Sequence, residues 1–173
     1  MSAVLKWGLI TGMVYVIFSL ISNLLGLQES GGVGLMLAYN TVLMVVSFFT
    51  IYMGVKETRD ELNGEFFTTG QGFLTGLKIT LIATLIATLF TFIYIQFIDP
   101  EMIDRMTEMT EEKWDEMGVP EDQREMGRKF QGWTSNPIFL AAFVAFSVLM
   151  WGAIKSLVAA FMLKKNPPTV PMA

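Results

Sequence analysis

Apolar and polar residues fall in long blocks along this chain. Four stretches, residues 4–25, 33–55, 73–98 and 138–163, are almost free of charge. Each exceeds the roughly 20 residues that a helix rising about 1.5 Å per residue needs to cross a hydrocarbon core of about 30 Å. They predict four transmembrane helices. Polar blocks separate them at residues 26–32, 56–72 and 99–136, and a proline-rich tail follows residue 164, where disorder is expected. The first connection is short and glycine-rich, which forces the first two helices into an antiparallel hairpin. The two longer apolar stretches hold one lysine each, Lys78 and Lys155, near one end. A long lysine stem snorkels its ammonium to the interface, so neither is expected to need a partner inside the membrane.

The block 99–136 carries a pattern of its own. Asp99 and Pro100 read as an N-cap and a first helical residue, Gly118 as a stop, and Pro120 as a second start. Met102, Met106, Met109 and Met117 recur at about helical spacing, and Met126, Phe130 and Trp133 continue an apolar face. Asp104, Glu108, Glu111 and Asp115 form an acidic stripe on another face. The expectation is two short amphipathic helices lying on the membrane interface or capping the bundle. The fold class is therefore all-α: an integral membrane four-helix bundle, one domain over residues 1–173, with a long extramembrane loop at 99–136.

Composition agrees and narrows the chemistry. Charged residues make up 16% of the chain and hydrophobic ones 53%, against about a quarter charged in soluble domains. The net charge of −4 comes with no basic patch, which argues against a nucleic-acid partner. Cysteine and histidine are absent, which removes disulfides, the usual zinc ligand sets and Cys–His or Ser–His catalysis. The methionine-rich block invites Cu(I), but its spacing suits a packing face and no His or Cys assists. No cofactor, no metal and no catalytic residues are expected, because the acidic stripe lacks any apolar cleft that would tune a carboxyl. The apolar run at 4–25 is longer than a signal-peptide core, so it is expected to be retained.

Basic residues orient the helices. Lys6 lies at the very start of the first span, Lys56 and Arg59 follow the second, and Lys164 and Lys165 follow the fourth, which favours both termini on the cytoplasmic side. Against this, the long loop carries Arg105, Lys113, Arg124, Arg128 and Lys129. Trp7 and Trp133 would mark opposite interfaces. Within the spans, small residues gather: Gly8 and Gly12; Gly76, Thr80, Ala83, Thr84, Ala87, Thr88 and Thr91; Gly152, Ser156 and Ala160. Such faces let helices approach closely in lipid, and packing within the bundle is the ordinary reading. Asn23, Asn40 and Gln96 lie toward the outer half, and no Asp, Glu or Arg lies deep in a span, which lowers ion-coupled transport. Gly8–Met13 resembles Gly72–Leu77, which hints at a duplicated hairpin.

A further block runs through the second and third spans: Gly54-Val55-Lys56, Arg59-Asp60, Asn63-Gly64, Gly70, Phe73, Gly76-Leu77-Lys78 and Phe97-Ile98-Asp99-Pro100. With it the chain resembles the domain of unknown function 4199 family, small four-helix membrane proteins found mainly in Bacteroidota. That resemblance implies a bacterial inner-membrane protein with four spans and supplies no activity. Glu65-Phe66-Phe67 stands where a more glycine-rich stretch is expected, which affects the loop geometry. Physically, Lys56, Arg59 and Lys78 form a candidate cluster for anionic lipid head groups, beside their role in topology.

The leading expectation is a non-enzymatic accessory or scaffold subunit that binds itself or another membrane protein. Met102, Met106, Met109, Trp114 and Met117 form the candidate partner surface. The alternative is a small transporter or lipid-binding protein using a groove between the first and third spans.

Overall fold

A computed structural model describes residues 1–27, 32–62 and 66–165. The four apolar stretches form long helices: α1 (Ala3–Leu24), α2 (Val33–Glu61), α3 (Thr69–Ile93) and α6 (Pro137–Leu163). Two shorter helices, α4 (Met102–Glu116) and α5 (Glu121–Thr134), separate α3 from α6. All four long helices have the length and hydropathy to cross a membrane. Residues 28–31, 63–65 and 166–173, including Asn63 and Gly64 of the family-like block and the proline-rich tail, lie outside the described residues.

Local chemistry explains most helix ends. The Ser2 hydroxyl caps α1, Asn136 caps α6 ahead of Pro137, and Thr68 with Gln71 makes a full capping box on α3. Gly118, at φ +62°, closes α4 in the left-handed conformation that glycine adopts freely. The start of α4 departs from expectation. Asp99 does not cap it; its carboxylate takes Arg105 at 2.5 Å instead, and the helix begins at Met102. Pro120 is likewise the N-cap of α5 rather than its first residue. Helix α2 runs on to Glu61, six residues past the apolar stretch, because residues 56–61 continue the turn with charged side chains at the rim.

Successive long helices run antiparallel, with α3 packed along both α1 and α6, and α2 packed on α1 and α6. The start of α1 and the end of α6 share one end, called here the terminal end. There Phe67 and Lys165 exchange backbone hydrogen bonds of 3.2 and 2.8 Å. Phe67, read from sequence as a loop residue in place of glycine, is buried in a core with Ile51, Val55, Ile79, Ala159 and Leu163.

Small residues set how closely the helices approach. A Cβ on Gly8 would lie 2.7 Å from Ile82 Cβ, and one on Gly76 would lie 2.6 Å from Ser156 Cβ. Both are closer than carbon atoms pack, so these contacts require glycine. The suspected duplication gains nothing from them. Gly8 and Gly12 of α1 face α3, whereas the matching Gly72 and Gly76 of α3 face α6. The repeated letters thus meet non-equivalent partners.

Packing is uneven along the helix axes. The buried residues of α2 all lie between Ser47 and Val55, and those of α1 between Ala3 and Gly12. Both sets belong to the terminal half. In the other half the side chains of α2, such as Val33, Leu37 and Val45, are exposed. All four helices are packed at the terminal end; toward the end that carries α4 and α5, α3 and α6 keep buried residues such as Ala87 and Ala141, while α1 and α2 do not.

Candidate functional site

At the junction between the packed and the open half lies a layer of polar side chains. Thr11 of α1 donates to Thr50 of α2 at 2.9 Å, and Thr50 and Ser47 are buried one turn apart. Ser47 accepts a 2.6 Å hydrogen bond from the Lys155 ammonium, while its own hydroxyl is within reach of the Leu43 carbonyl at 2.7 Å. Lys155 also donates to the Tyr15 hydroxyl at 3.3 Å and lies 5.8 Å from the centre of that ring. Three helices thus converge on one lysine, a residue that is only 6% exposed. Among the described residues its side-chain partners are the two hydroxyls, and no carboxylate pairs with it.

This overturns the expectation that Lys155 snorkels without a partner. Lys155 stands on the face of α6 formed by Gly152, Ser156, Ala159, Ala160 and Leu163, all buried against neighbours. Its stem has no apolar surface to follow out to the terminal end, because that route is filled by the core around Phe67 and Leu163. Lys78, by contrast, is exposed.

Beyond this layer the helices enclose space. A cavity of about 670 Å³ lies between α2 and α6, lined by Asn40, Met44, Phe143, Ser147 and Trp151, with Lys155 and Tyr15 at its floor. Its rim residues Met44, Phe143 and Trp151 are exposed, so the cavity is a groove open on one side. A second cavity of about 460 Å³ shares Tyr15, Asn40 and Leu43 with the first and runs between α1 and α2 to Met106 of α4. The Tyr39 hydroxyl donates to the Phe18 carbonyl, and the two rings pack 5.3 Å apart. This contact holds the open half of α2 on α1 and leaves the gap on the α6 side.

The expected groove between the first and third spans has a different course. Gly8 and Gly12 press α1 onto Ile82 and Ile86 and close that interface over the packed half. Only farther along does a smaller space of about 210 Å³ appear, where Thr91 of the threonine face meets Ser19, Asn23, Met102 and Met106. Thr80 and Thr84 stay buried.

The residues singled out from sequence fall in three places. Met102 and Met106 of α4 line the cavities, Met102 half-buried and Met106 still partly exposed. Met109 is half-buried, and the half-buried Trp114 lies over Gly127 of α5; only Met117 of that set is strongly exposed. At the terminal end Arg59 pairs with Asp60 at 2.8 Å, Lys56 is half-buried and Lys78 is exposed on α3. Nearby, Glu57 accepts from Lys6 at 2.8 Å and from the Trp7 indole at 2.7 Å, which staples α1 to α2.

Helices α4 and α5 are joined by ion pairs. Arg128 of α5 meets Glu111 of α4 at 2.7 Å and, within its own helix, Glu121 at 2.6 Å, and Arg124 of α5 pairs with Asp115 of α4. The hydrogen bonds from Arg128 hold the Glu111 carboxyl below the usual carboxylate range, and the two carboxylates in turn raise the pKa of Arg128. The acidic stripe is therefore partly neutralised. Asn40, read as an interhelical bonder, donates to its own helix at Met36 and faces the groove.

Ser47 and Tyr15 carry no motif that marks them in sequence. The signal that was available is helical spacing: 152, 155, 156, 159, 160 and 163 fall on one face, which places Lys155 among the small packing residues.

A serine hydroxyl 2.6 Å from a lysine amine has the geometry of a nucleophile with its base. The surroundings do not complete such a site. Ser47 is wholly buried within α2, below the cavity, and the helix consumes the neighbouring backbone N–H groups that would steady an oxyanion. What the arrangement offers chemically is a fixed positive charge at the end of an apolar groove.

No curated protein and no solved structure matches the chain. A family model described as a protein of unknown function, DUF4199, matches residues 6–165, nearly the whole chain. The chain belongs to that family.

Proposed function

We propose that this protein is a multi-pass membrane protein that binds an amphiphilic molecule from the bilayer in the groove between α2 and α6, without catalysing a reaction. The observation that carries this reading is a groove of about 670 Å³ with a charged floor and an apolar, laterally open rim. That volume lies within the roughly 300–1,000 Å³ range of small-molecule sites. In a bilayer the exposed faces of α2 and α6 meet acyl chains, so the open side faces a reservoir of such ligands.

The placement in a bacterial inner membrane, with both termini cytoplasmic, rests on the family and on Lys6, Lys56, Arg59, Lys164 and Lys165 at the terminal end. The groove then opens in the outer leaflet, and α4 and α5 lie at the outer interface. Met126, Phe130 and Trp133 of α5 are all strongly exposed, and Trp133 directly precedes the span α6. Such a stripe suits an interfacial helix.

Native mass spectrometry of protein extracted in mild detergent tests the binding. One retained amphiphile per chain is expected, and Ser147→Phe, which fills the groove, should remove it. A wild-type protein that retains none after gentle extraction, and takes none up from added lipid, would sink the reading.

A second reading is association with itself or another membrane protein as a scaffold subunit. The exposed apolar stripe on α5 favours it, more than the cavity-lining Met102 and Met106 do. It predicts a complex larger than a monomer that shrinks on Phe130→Glu. An unchanged monomer would leave the stripe to the bilayer.

A further inference from the structure

We infer that Lys155 makes the groove selective for an amphiphile with one anionic head group, a carboxylate or a phosphate, at the end of an acyl chain. This deepens the groove-binding reading and rests on it.

Lys155 lies about eight residues, or some 12 Å, inside the C-terminal end of α6, and its stem leans farther into the span because helical side chains tilt toward the N-terminus. A charged ammonium at such depth is costly unless it is paired, and intramembrane lysines ordinarily face a counter-ion or a water-filled cavity. Here the described partners are two neutral hydroxyls, Ser47 and Tyr15, which orient the ammonium but do not neutralise it. An ammonium has three donors, and two are used. Lys155 is also one of the residues that line the groove, which puts its unused donor beside the space a ligand would fill.

The remaining walls specify the rest of the ligand. Met44, Phe143, Val148 and Trp151 are apolar and run from the lysine toward the open side. Asn40 and Ser147 are the other polar groups on the lining besides Tyr15, and both are neutral. A single anion at the floor and a chain along the wall therefore match the groove in charge and polarity. A zwitterionic head group would set a second, positive charge beside Lys155 and should be disfavoured.

Trp151 on the rim provides the readout. Protein in neutral detergent is titrated with a fatty acid brominated along its chain, and quenching of indole fluorescence is followed. Trp151→Phe establishes that the quenched indole is the one at the groove. The matching brominated fatty alcohol supplies the uncharged comparison. Brominated phosphatidylglycerol and phosphatidylcholine supply the two-chain comparison.

The expected result is saturable quenching of Trp151 with at least roughly tenfold preference for acid over alcohol, as suits a charge-assisted contact. Preference for phosphatidylglycerol over phosphatidylcholine as well would point to an anionic phospholipid as the source; preference confined to the fatty acid would point to a free single chain. Lys155→Met should bring acid and alcohol together while chain binding remains, and Lys155→Arg should restore the preference. If Lys155→Met fails to fold, the wild-type acid-to-alcohol ratio together with Lys155→Arg still decides.

Equal affinity for acid and alcohol in the wild type overturns the inference. So does an acid preference that survives Lys155→Met while Ser147→Phe abolishes binding; groove binding would then stand without the lysine. Saturation by none of the probes removes the groove reading itself.

Discussion

Lys78 and Lys155 are chemically alike and equally close to the ends of their helices, yet one is exposed and the other buried. In a helix every Cα–Cβ bond tilts toward the N-terminus. Lys78 lies near the N-terminal end of α3, so its stem leans out toward the terminal end. Lys155 lies near the C-terminal end of α6, so its stem leans inward, toward Ser47 and Tyr15. The rule is readable from sequence; the presence of two waiting hydroxyls is not. Glycine contacts act at the same scale. Gly76→Val should force α3 from Ser156 and cost about 1–3 kcal/mol. Gly34→Ala, where nothing lies within 4 Å, should leave stability unchanged or slightly higher. Thermal unfolding in detergent checks both. The Thr11–Thr50 hydrogen bond should be worth about 0.6 kcal/mol, the average for polar contacts between membrane helices. A double-mutant cycle with Thr11→Val and Thr50→Val measures it, and a coupling near zero would mean that the hydroxyls act separately.

Among the elements, the α4–α5 pair depends most on charge. Its ion pairs link Glu111 and Glu121 to Arg128 and Asp115 to Arg124. Glu111 holds its charge to lower pH in the folded hairpin than in an unfolded chain. Its contribution is therefore complete above the ordinary carboxylate value of 4.5 and disappears as pH falls through the lowered one. Amide protection factors in α4 and α5, which divide out the intrinsic pH dependence of exchange, should fall as pH drops below the ordinary carboxylate value of 4.5, and Arg128→Ala should flatten that dependence. Protection factors that do not change with pH in the wild type would show that packing, such as Trp114 on Gly127, holds the pair instead. Both helices were legible from Gly118, Pro120 and the methionine spacing. The failure at Asp99 is instructive: a side chain suited to capping was taken by Arg105, a competitor six residues ahead that capping rules do not weigh.

For the whole molecule, the orientation and the position of the groove are one question, because the groove opens at the end bearing α4 and α5. The chain has no cysteine, so single cysteines report cleanly. With the termini cytoplasmic, a membrane-impermeant maleimide should label Glu108→Cys in intact cells and Asp60→Cys only after permeabilisation. The opposite pattern would place the groove in the inner leaflet. Four helices of membrane-crossing length, their antiparallel order and the family were all contained in the sequence, since they follow from local hydropathy, short connections and a motif block. The groove was not. Its existence depends on α2 packing over one half of its length and leaning on α1 through Tyr39 over the other, a balance of contacts between residues far apart in the chain. In lipid, apolar faces gain little from each other, so hydropathy says which segments cross and not which faces meet. The four spans were therefore determined by sequence alone, whereas the burial of Lys155 between Ser47 and Tyr15, at the foot of an open groove, was decided by the tertiary structure.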